Sequence, residues 1–335
     1  MAAILLQSLL RLVRQLGLVL SLLALAPLAL LLAANTDLGQ RLLVWGIAEL
    51  SGGRVLLVGL SGSVPVAPRL RRLELRDQEG GWLVMEDAAL DLDPRALMRA
   101  EIAVERLSAA TVRLLRLPQG NGGTATPSWP PVRIRLDQLA IADLRLAPAF
   151  PGAPPLAVQA QGAVGGSGPI ELDVELLAPG RADRYRLDLQ SDPDGLRFVL
   201  GLQEAAGGLL PALAGPLGWP LPAGLGDWRL DARAAGPFSA LALDASLSAG
   251  AVSATAEGQI DLRTRSATAL RLEARVPALP PSDAWPVGWE DLALSGELAG
   301  PWAAPDGRVR LRLQGLVAGD LGLDRLTLDA AGDRH

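Results

Sequence analysis

Residues able to carry chemistry are sparse. The chain of 335 residues holds no Cys and one His, the terminal His335, so thiolate, triad and histidine-metal chemistry have no footing. Carboxylates are plentiful, and Glu86, Asp87, Asp91 and Asp93 lie close together. Asp91 and Asp93 alternate with Leu90 and Leu92, which places both acids on a solvated strand face, and no glycine-bearing loop wraps them as calcium would require. Gly59-Leu60-Ser61-Gly62-Ser63 misses the nucleophile-elbow spacing at its fifth position, and Gly165-Gly166-Ser167-Gly168 lacks the following Lys of a phosphate loop. Both read as turns. The sequence therefore predicts no catalytic, cofactor-binding or metal residues, no cofactor and no enzyme.

Composition points the same way. Half of the chain is hydrophobic and 4% is aromatic, so the apolar mass is aliphatic, suited to acyl chains or packing rather than base stacking. All 31 basic residues are Arg, and after Arg14 there remain 29 against 36 acidic residues, a poor charge balance for nucleic acid.

The elements that such residues must build begin with a membrane anchor. Gln15 to Thr36 carry no charge, and the stretch from Leu16 to Ala34 is nearly all Leu, Ala and Val. At 1.5 Å per residue it just spans a hydrocarbon core of about 30 Å. Arg11 and Arg14 precede it and Asp37 follows, which predicts a cytoplasmic N-terminus and a single pass with the body outside. A cleaved signal is the rival reading, but the run exceeds the usual signal core and Leu32 is a poor residue before a cleavage site. The predicted organisation is 1–35 as cytoplasmic tip and signal-anchor helix, 36–53 as a short amphipathic helix capped by Thr36 and stopped at Gly52-Gly53, and 54–335 as a β-sheet body. The short helix reads as packing on one end of the body in preference to lying at an interface.

In the body the apolar period changes to two. Trp82 to Met85 and Leu90 to Asp93 are strand-like runs punctuated by Gly, Pro or Asp, and Val132 to Asp137, Arg186 to Gln190, Ile260 to Arg263 and Arg308 to Gln314 alternate aliphatic with polar residues cleanly. The expectation is an elongated antiparallel meander of roughly 20 strands, on the order of 100 Å long, whose apolar face must be folded over, closed or filled. Loops are expected at 119–131 and at 207–226, the latter holding a short helix that serves as a connection in preference to a lid. Trp228 to Phe238 and Leu292 to Trp302 form a weak internal repeat, each copy ending in Gly-Pro-aromatic.

Leu50-Ser51-Gly52-Gly53-Arg54-Val55, Val58 to Ser63, Leu70 to Asp77, Gly81-Trp82-Leu83, Leu90-Asp91-Leu92 with Pro94 and Leu97, and Arg106 to Val112 follow the anchor in an order that resembles the start of the TamB family, inner-membrane components of the translocation and assembly module within the wider AsmA-like group. The likeness runs from the N-terminus to just past Val112; beyond it only the style persists, as in Leu321 to Ala330. The resemblance implies a folded-over β-sheet groove with an aliphatic interior in the periplasm. Such a groove moves phospholipid toward the outer membrane and assists outer-membrane protein assembly. Family members are much longer, and the domain that meets the TamA-like outer-membrane barrel partner has no counterpart here, which implies a fragment or truncated product with incomplete bridging.

The candidate lipid-groove lining comprises Ile134, Leu136, Leu187, Leu189, Ile260, Leu262, Val309, Leu311 and Leu313, with phospholipid as ligand. Alternatives are a scaffold that binds outer-membrane protein strands by β-augmentation, a closed sheet whose apolar face is its own core, and a non-functional fragment.

Overall fold

A computed structural model describes residues 35–118, 132–165, 168–214, 226–279, 281, 287–318 and 321–332. The anchor predicted over 1–35, including Arg11 and Arg14, lies outside them apart from Asn35, as do the 119–131 loop, 215–225 and His335. Among the described residues no helix is long and apolar enough to cross a membrane.

Helix α1 (Asp37–Leu50) starts where the Thr36 hydroxyl accepts a hydrogen bond from the Gly39 amide at 3.1 Å. It stops where Gly52 and Gly53 take positive φ and the Gly53 amide returns to the Ala48 carbonyl at 2.7 Å. It packs along the first strand. After it the chain is mainly β, and the strands run β1 (Val55–Ser63), β2 (Ala67–Asp77), β3 (Gly80–Asp93), β4 (Glu101–Leu114), β5 (Arg133–Arg145), β6 (Leu156–Val164), β7 (Ile170–Leu177), β8 (Arg184–Ser191), β9 (Gly195–Glu204), β10 (Trp228–Pro237), β11 (Leu241–Ala249), β12 (Val252–Asp261), β13 (Ser266–Leu279), β14 (Val287–Pro301), β15 (Asp306–Ala318) and β16 (Leu321–Gly332). A 3-10 turn (Pro94–Arg99) joins β3 to β4, and a short helix α2 (Leu209–Ala214) follows β9.

All sixteen strands form one open sheet in strict chain order. At ~4.8 Å per strand that is a sheet roughly 70 Å wide, narrower than expected because there are fewer, longer strands. Trp82 to Met85 and Leu90 to Asp93, expected as separate runs, are the two halves of β3. The pairing is antiparallel with one exception: β4 and β5 run parallel, Glu101 beside Arg133 and Arg113 beside Arg145. The intervening segment 115–132 is long enough for the crossover that parallel neighbours need. The expected uninterrupted antiparallel meander is thereby corrected.

The long strands share a second feature. In β3 the apolar positions are Leu83 and Met85, then Ala88, Leu90 and Leu92, so the phase slips by one at Asp87, whose φ is +49°. The same slip falls at Gly59 in β1 (φ +69°), Arg71 in β2, Ala110 in β4 and Ala142 in β5. The pairing ladders skip these residues one against the next, while the register on either side is unchanged in β1–β4. At the same level of five neighbouring strands one residue drops out of the ladder, one for one with its neighbour, and the apolar face resumes one position out of phase, so these irregularities align as a crease. Beside the crease Ala88, Ala109 and Val112 are buried against Leu70, Leu83, Met85 and Ile141. An equivalent line crosses the far end, through Ala278, Glu290, Gly315 (φ +62°) and Asp324 of β13–β16. Strands β6–β12 are shorter and lack it.

The Gly-Pro-aromatic repeat closes equivalent ends of β10 and β14. The Ala240 amide donates to the Pro237 carbonyl at 2.9 Å, and the Ala304 amide to that of Pro301 at 3.1 Å.

Candidate functional site

Strict strand order, with register shifts confined to single points within a ladder, puts the apolar residues of successive strands side by side. One row runs Ile141, Val158, Leu176, Tyr185, Leu202, Leu230, Leu247, Ala254, Ala274, Leu294, Leu311 and Leu328, so an unbroken apolar line passes from β5 to β16. On the β1 side the strip continues through Val112, Met85, Leu73 and Leu57. Cross-strand neighbours of this kind lie ~5 Å apart, close enough for each to cover the next.

Most side chains of the strip are half-buried rather than buried, while their alternates are exposed: along β12 and β15 the two states follow each other residue by residue. Its best-covered stretch lies near β6 to β9, where Leu146 and Ala153 of the β5–β6 connection and Leu209 of α2 pack onto Leu156 and Tyr185. An aliphatic surface of this length left partly open to water is costly at ~25 cal/mol per Å², and a covering apolar ligand would recover that.

The opposite face carries charge. Arg76 and Glu74 approach to 2.7 Å, Arg145 and Asp143 to 2.7 Å, and Arg310 and Asp329 to 2.6 Å. Such exposed pairs contribute little to stability. Like charges also stand directly opposite, Asp173 beside Asp188 and Asp244 beside Glu257, and one Asp188 carboxylate oxygen is buried without a partner. A depression of about 460 Å³ lies on this face between β12 and β15. Its Arg275 and Arg310 are engaged by Asp291 and Asp329, which leaves them poorly placed to grip an anion. Among the described residues no group of three His, Asp or Glu side chains converges as a metal site.

Of the candidate lining, Ile134 and Leu136 sit on β5, Leu187 and Leu189 on β8, Ile260 on β12, and Val309, Leu311 and Leu313 on β15, all in rows of the strip. Leu313 is the most enclosed, at 7% exposed. Leu262 is a correction. Asp261 ends β12 by accepting from the amides of Arg263 at 2.8 Å and Thr264 at 3.0 Å, an Asx turn that takes Leu262 out of the strand.

The centre of the strip holds a polar lock that alternation conceals. Glu204, 1% exposed at the end of β9, accepts from the Tyr185 hydroxyl at 2.6 Å and from the Leu210 amide at 2.9 Å. These bonds hold the first turn of α2, and Leu209 then packs on Leu156, Ala178 and Tyr185 of the apolar face. Beside them buried Asp183 accepts from Arg181 at 2.5 Å and from the Ala205 amide at 2.8 Å. Burial, and then the Glu204 carboxyl, push the Tyr185 hydroxyl well above its ordinary range, so it remains a donor. The helix expected within 207–226 therefore lies on the strip. The sequence signal was faint: a Glu closing a strand just before Gly207-Gly208 looks like any solvated turn.

Comparison with protein-family models, with curated proteins and with solved structures found no match for this chain.

Proposed function

We propose that this chain is an inner-membrane-anchored periplasmic protein whose sheet folds over along its two crease lines into an apolar groove for phospholipid. The groove would pass lipid toward the outer membrane and support outer-membrane protein assembly. The observation that carries this reading is the apolar strip, continuous across the strands and half-open along most of its length. A closed core would bury those side chains. Removing acyl chains from water into such a surface gains about 0.8 kcal/mol per methylene and needs no specific contact. That fits a site with no signature residue.

The test is to purify the full chain in mild detergent and measure bound lipid by mass spectrometry against a Leu311→Asp, Leu313→Asp variant. Phospholipid in the parent that is lost from a folded variant supports the groove, because carboxylates on the wall carry a desolvation penalty that acyl chains cannot offset. Absence of lipid from both rejects it.

A second reading has its own observation. Every residue of β16 is exposed, and among the described residues this strand pairs with β15 alone, which leaves its other backbone edge open. Such an edge is a template for β-augmentation by an extended outer-membrane protein segment. Under that reading a proline placed in β16 abolishes capture of such segments while bound lipid is unaffected.

A further inference from the structure

Helix α1 has two faces of different kinds. Its inner face is fastened to the start of the sheet: the Asn35 side chain donates to the Val64 carbonyl at 2.9 Å and accepts from the Val64 amide at 2.8 Å, and Gln40 donates to the Gly62 carbonyl at 3.4 Å. Leu43 and Val44, on the Gln40 side of the helix, are half-buried. Its outer face would be polar if it met water. Instead Leu38, Leu42 and Trp45, spaced i, i+4, i+7 on one stripe, are 70%, 58% and 65% exposed, and no residue of the helix is fully buried. Arg41 flanks this stripe and Glu49 ends it. The turn that Asn35 grips adds Val66, 40% exposed.

A water-facing helix gains nothing from a Leu, Leu, Trp stripe, but one in the headgroup layer of a bilayer does. There the aliphatic side chains reach the acyl boundary while the indole and a flanking Arg sit among polar groups. The chain supplies the geometry. The uncharged stretch of Gln15 to Thr36 ends immediately before α1 begins, so a span made by that stretch delivers α1 at the membrane surface. The Asn35 and Gln40 hydrogen bonds tie the start of the helix to the β1–β2 turn.

We infer that α1 lies in the lipid surface with Leu38, Leu42 and Trp45 toward the acyl chains, seating β1, the first strand of the apolar strip, at the bilayer. The inference rests on the anchored reading above and extends it by saying where the strip meets its lipid source.

Because the chain contains no Cys, a single introduced thiol labels one position. Leu42→Cys, Leu43→Cys and Thr255→Cys would each carry a nitroxide in the full chain, reconstituted into vesicles of phosphatidylethanolamine and phosphatidylglycerol. Collision with oxygen, which concentrates in lipid, is compared with collision with a water-soluble nickel chelate. Leu42 is mostly exposed, so labelling it disturbs no packing. The expected result is loss of chelate broadening at position 42 with oxygen broadening retained, little of either at 43, and full chelate broadening at 255. Chelate access at 42 equal to that at 255, in protein that floats with the vesicles, overturns the placement of α1 and leaves the anchor standing. Protein that fails to float removes both.

Discussion

Replacing Glu204 by Ala tests whether α2 is held on the apolar strip by its polar lock. The change leaves the Tyr185 hydroxyl without the acceptor it meets at 2.6 Å and the Leu210 amide without the one at 2.9 Å. A buried hydroxyl and a half-buried amide left without partners cost about 1–3 kcal/mol each at most. The alternative is for α2 to leave, which forfeits mainly the burial of Leu209, worth about 1.5–3 kcal/mol. So short a segment cannot sustain a helix by itself, so release means local unfolding of α2. The cheaper route sets the observed cost: a loss of about 2–3 kcal/mol, with the helix undocked rather than held in place unsatisfied. Hydrogen exchange at the amides of residues 209–214 reports the undocking, and urea denaturation followed by circular dichroism reports the cost. Glu204→Gln, which keeps one acceptor oxygen, should lose roughly half as much. Pairing Glu204→Leu with Tyr185→Phe removes acceptor and hydroxyl together and should recover part of the loss in a double-mutant cycle. If Glu204→Ala leaves both amide protection and the urea midpoint unchanged, the lock is not what holds α2.

Gly59→Ala and Gly315→Ala each force a side chain to positive φ, at about 1–2 kcal/mol. Gly59→Ala should cost more by chemical denaturation, because its new methyl meets the fixed Arg71 Cβ at 2.8 Å, whereas at Gly315 it meets the movable Glu290 side chain at 2.5 Å. Leu156→Ala, at a site 1% exposed, should destabilise by about 2–5 kcal/mol, while Leu328→Ala, at 55% exposed, should stay within about 0.5 kcal/mol by the same measurement. Hydrogen bonds from Arg76 first, and then Arg72, hold the Glu74 carboxyl below its ordinary value of 4.5. A group depressed in this way stabilises the fold above its unfolded pKa and loses that contribution as pH falls through the folded value, so Glu74→Gln should flatten the parent's decline in thermal midpoint below about pH 4.5.

Sequence periodicity made the strand content readable because alternation is a local signal: Val309, Leu311 and Leu313 announce their face without reference to any neighbour. The crease lines were hidden for the same reason. Within β3, Glu86-Asp87-Ala88 looks like the end of one strand and the start of another, and only the ladders resuming in register on both sides of Asp87, Arg71 and Ala110 identify one continuous strand. Leu262 was misplaced because a hydrophobic residue two after Ile260 satisfies the period, whereas the Asx turn at Asp261 depends on backbone amides that periodicity does not weigh. The parallel pairing of β4 and β5 was equally invisible, since both strands alternate in the same way whichever direction they run. Glu204 marks the remaining limit: a single carboxyl is solvated or buried according to what packs on it, and here that is the short helix that follows it in the chain.

The charged face limits which side of the sheet can stack on another copy. A sheet of sixteen strands with one aliphatic face and one bland face would stack on its own copies. Here the half-open apolar positions alternate with polar residues on the other side, several of them Arg, Asp or Glu, and Asp173 beside Asp188 and Asp244 beside Glu257 lose some stability to like-charge contact. Stacking on that face would bury these carboxylates without partners, a penalty larger than surface salt bridges recover. Edge growth is limited at one end by α1, which packs along β1. At the other end β16 keeps an open edge, and Leu321, Leu323, Leu326 and Leu328 leave it apolar as well as unpaired. Among the described strands, then, α1 packs along β1 while the outer edge of β16 stands unpaired and apolar, the two features an added strand from a partner would use.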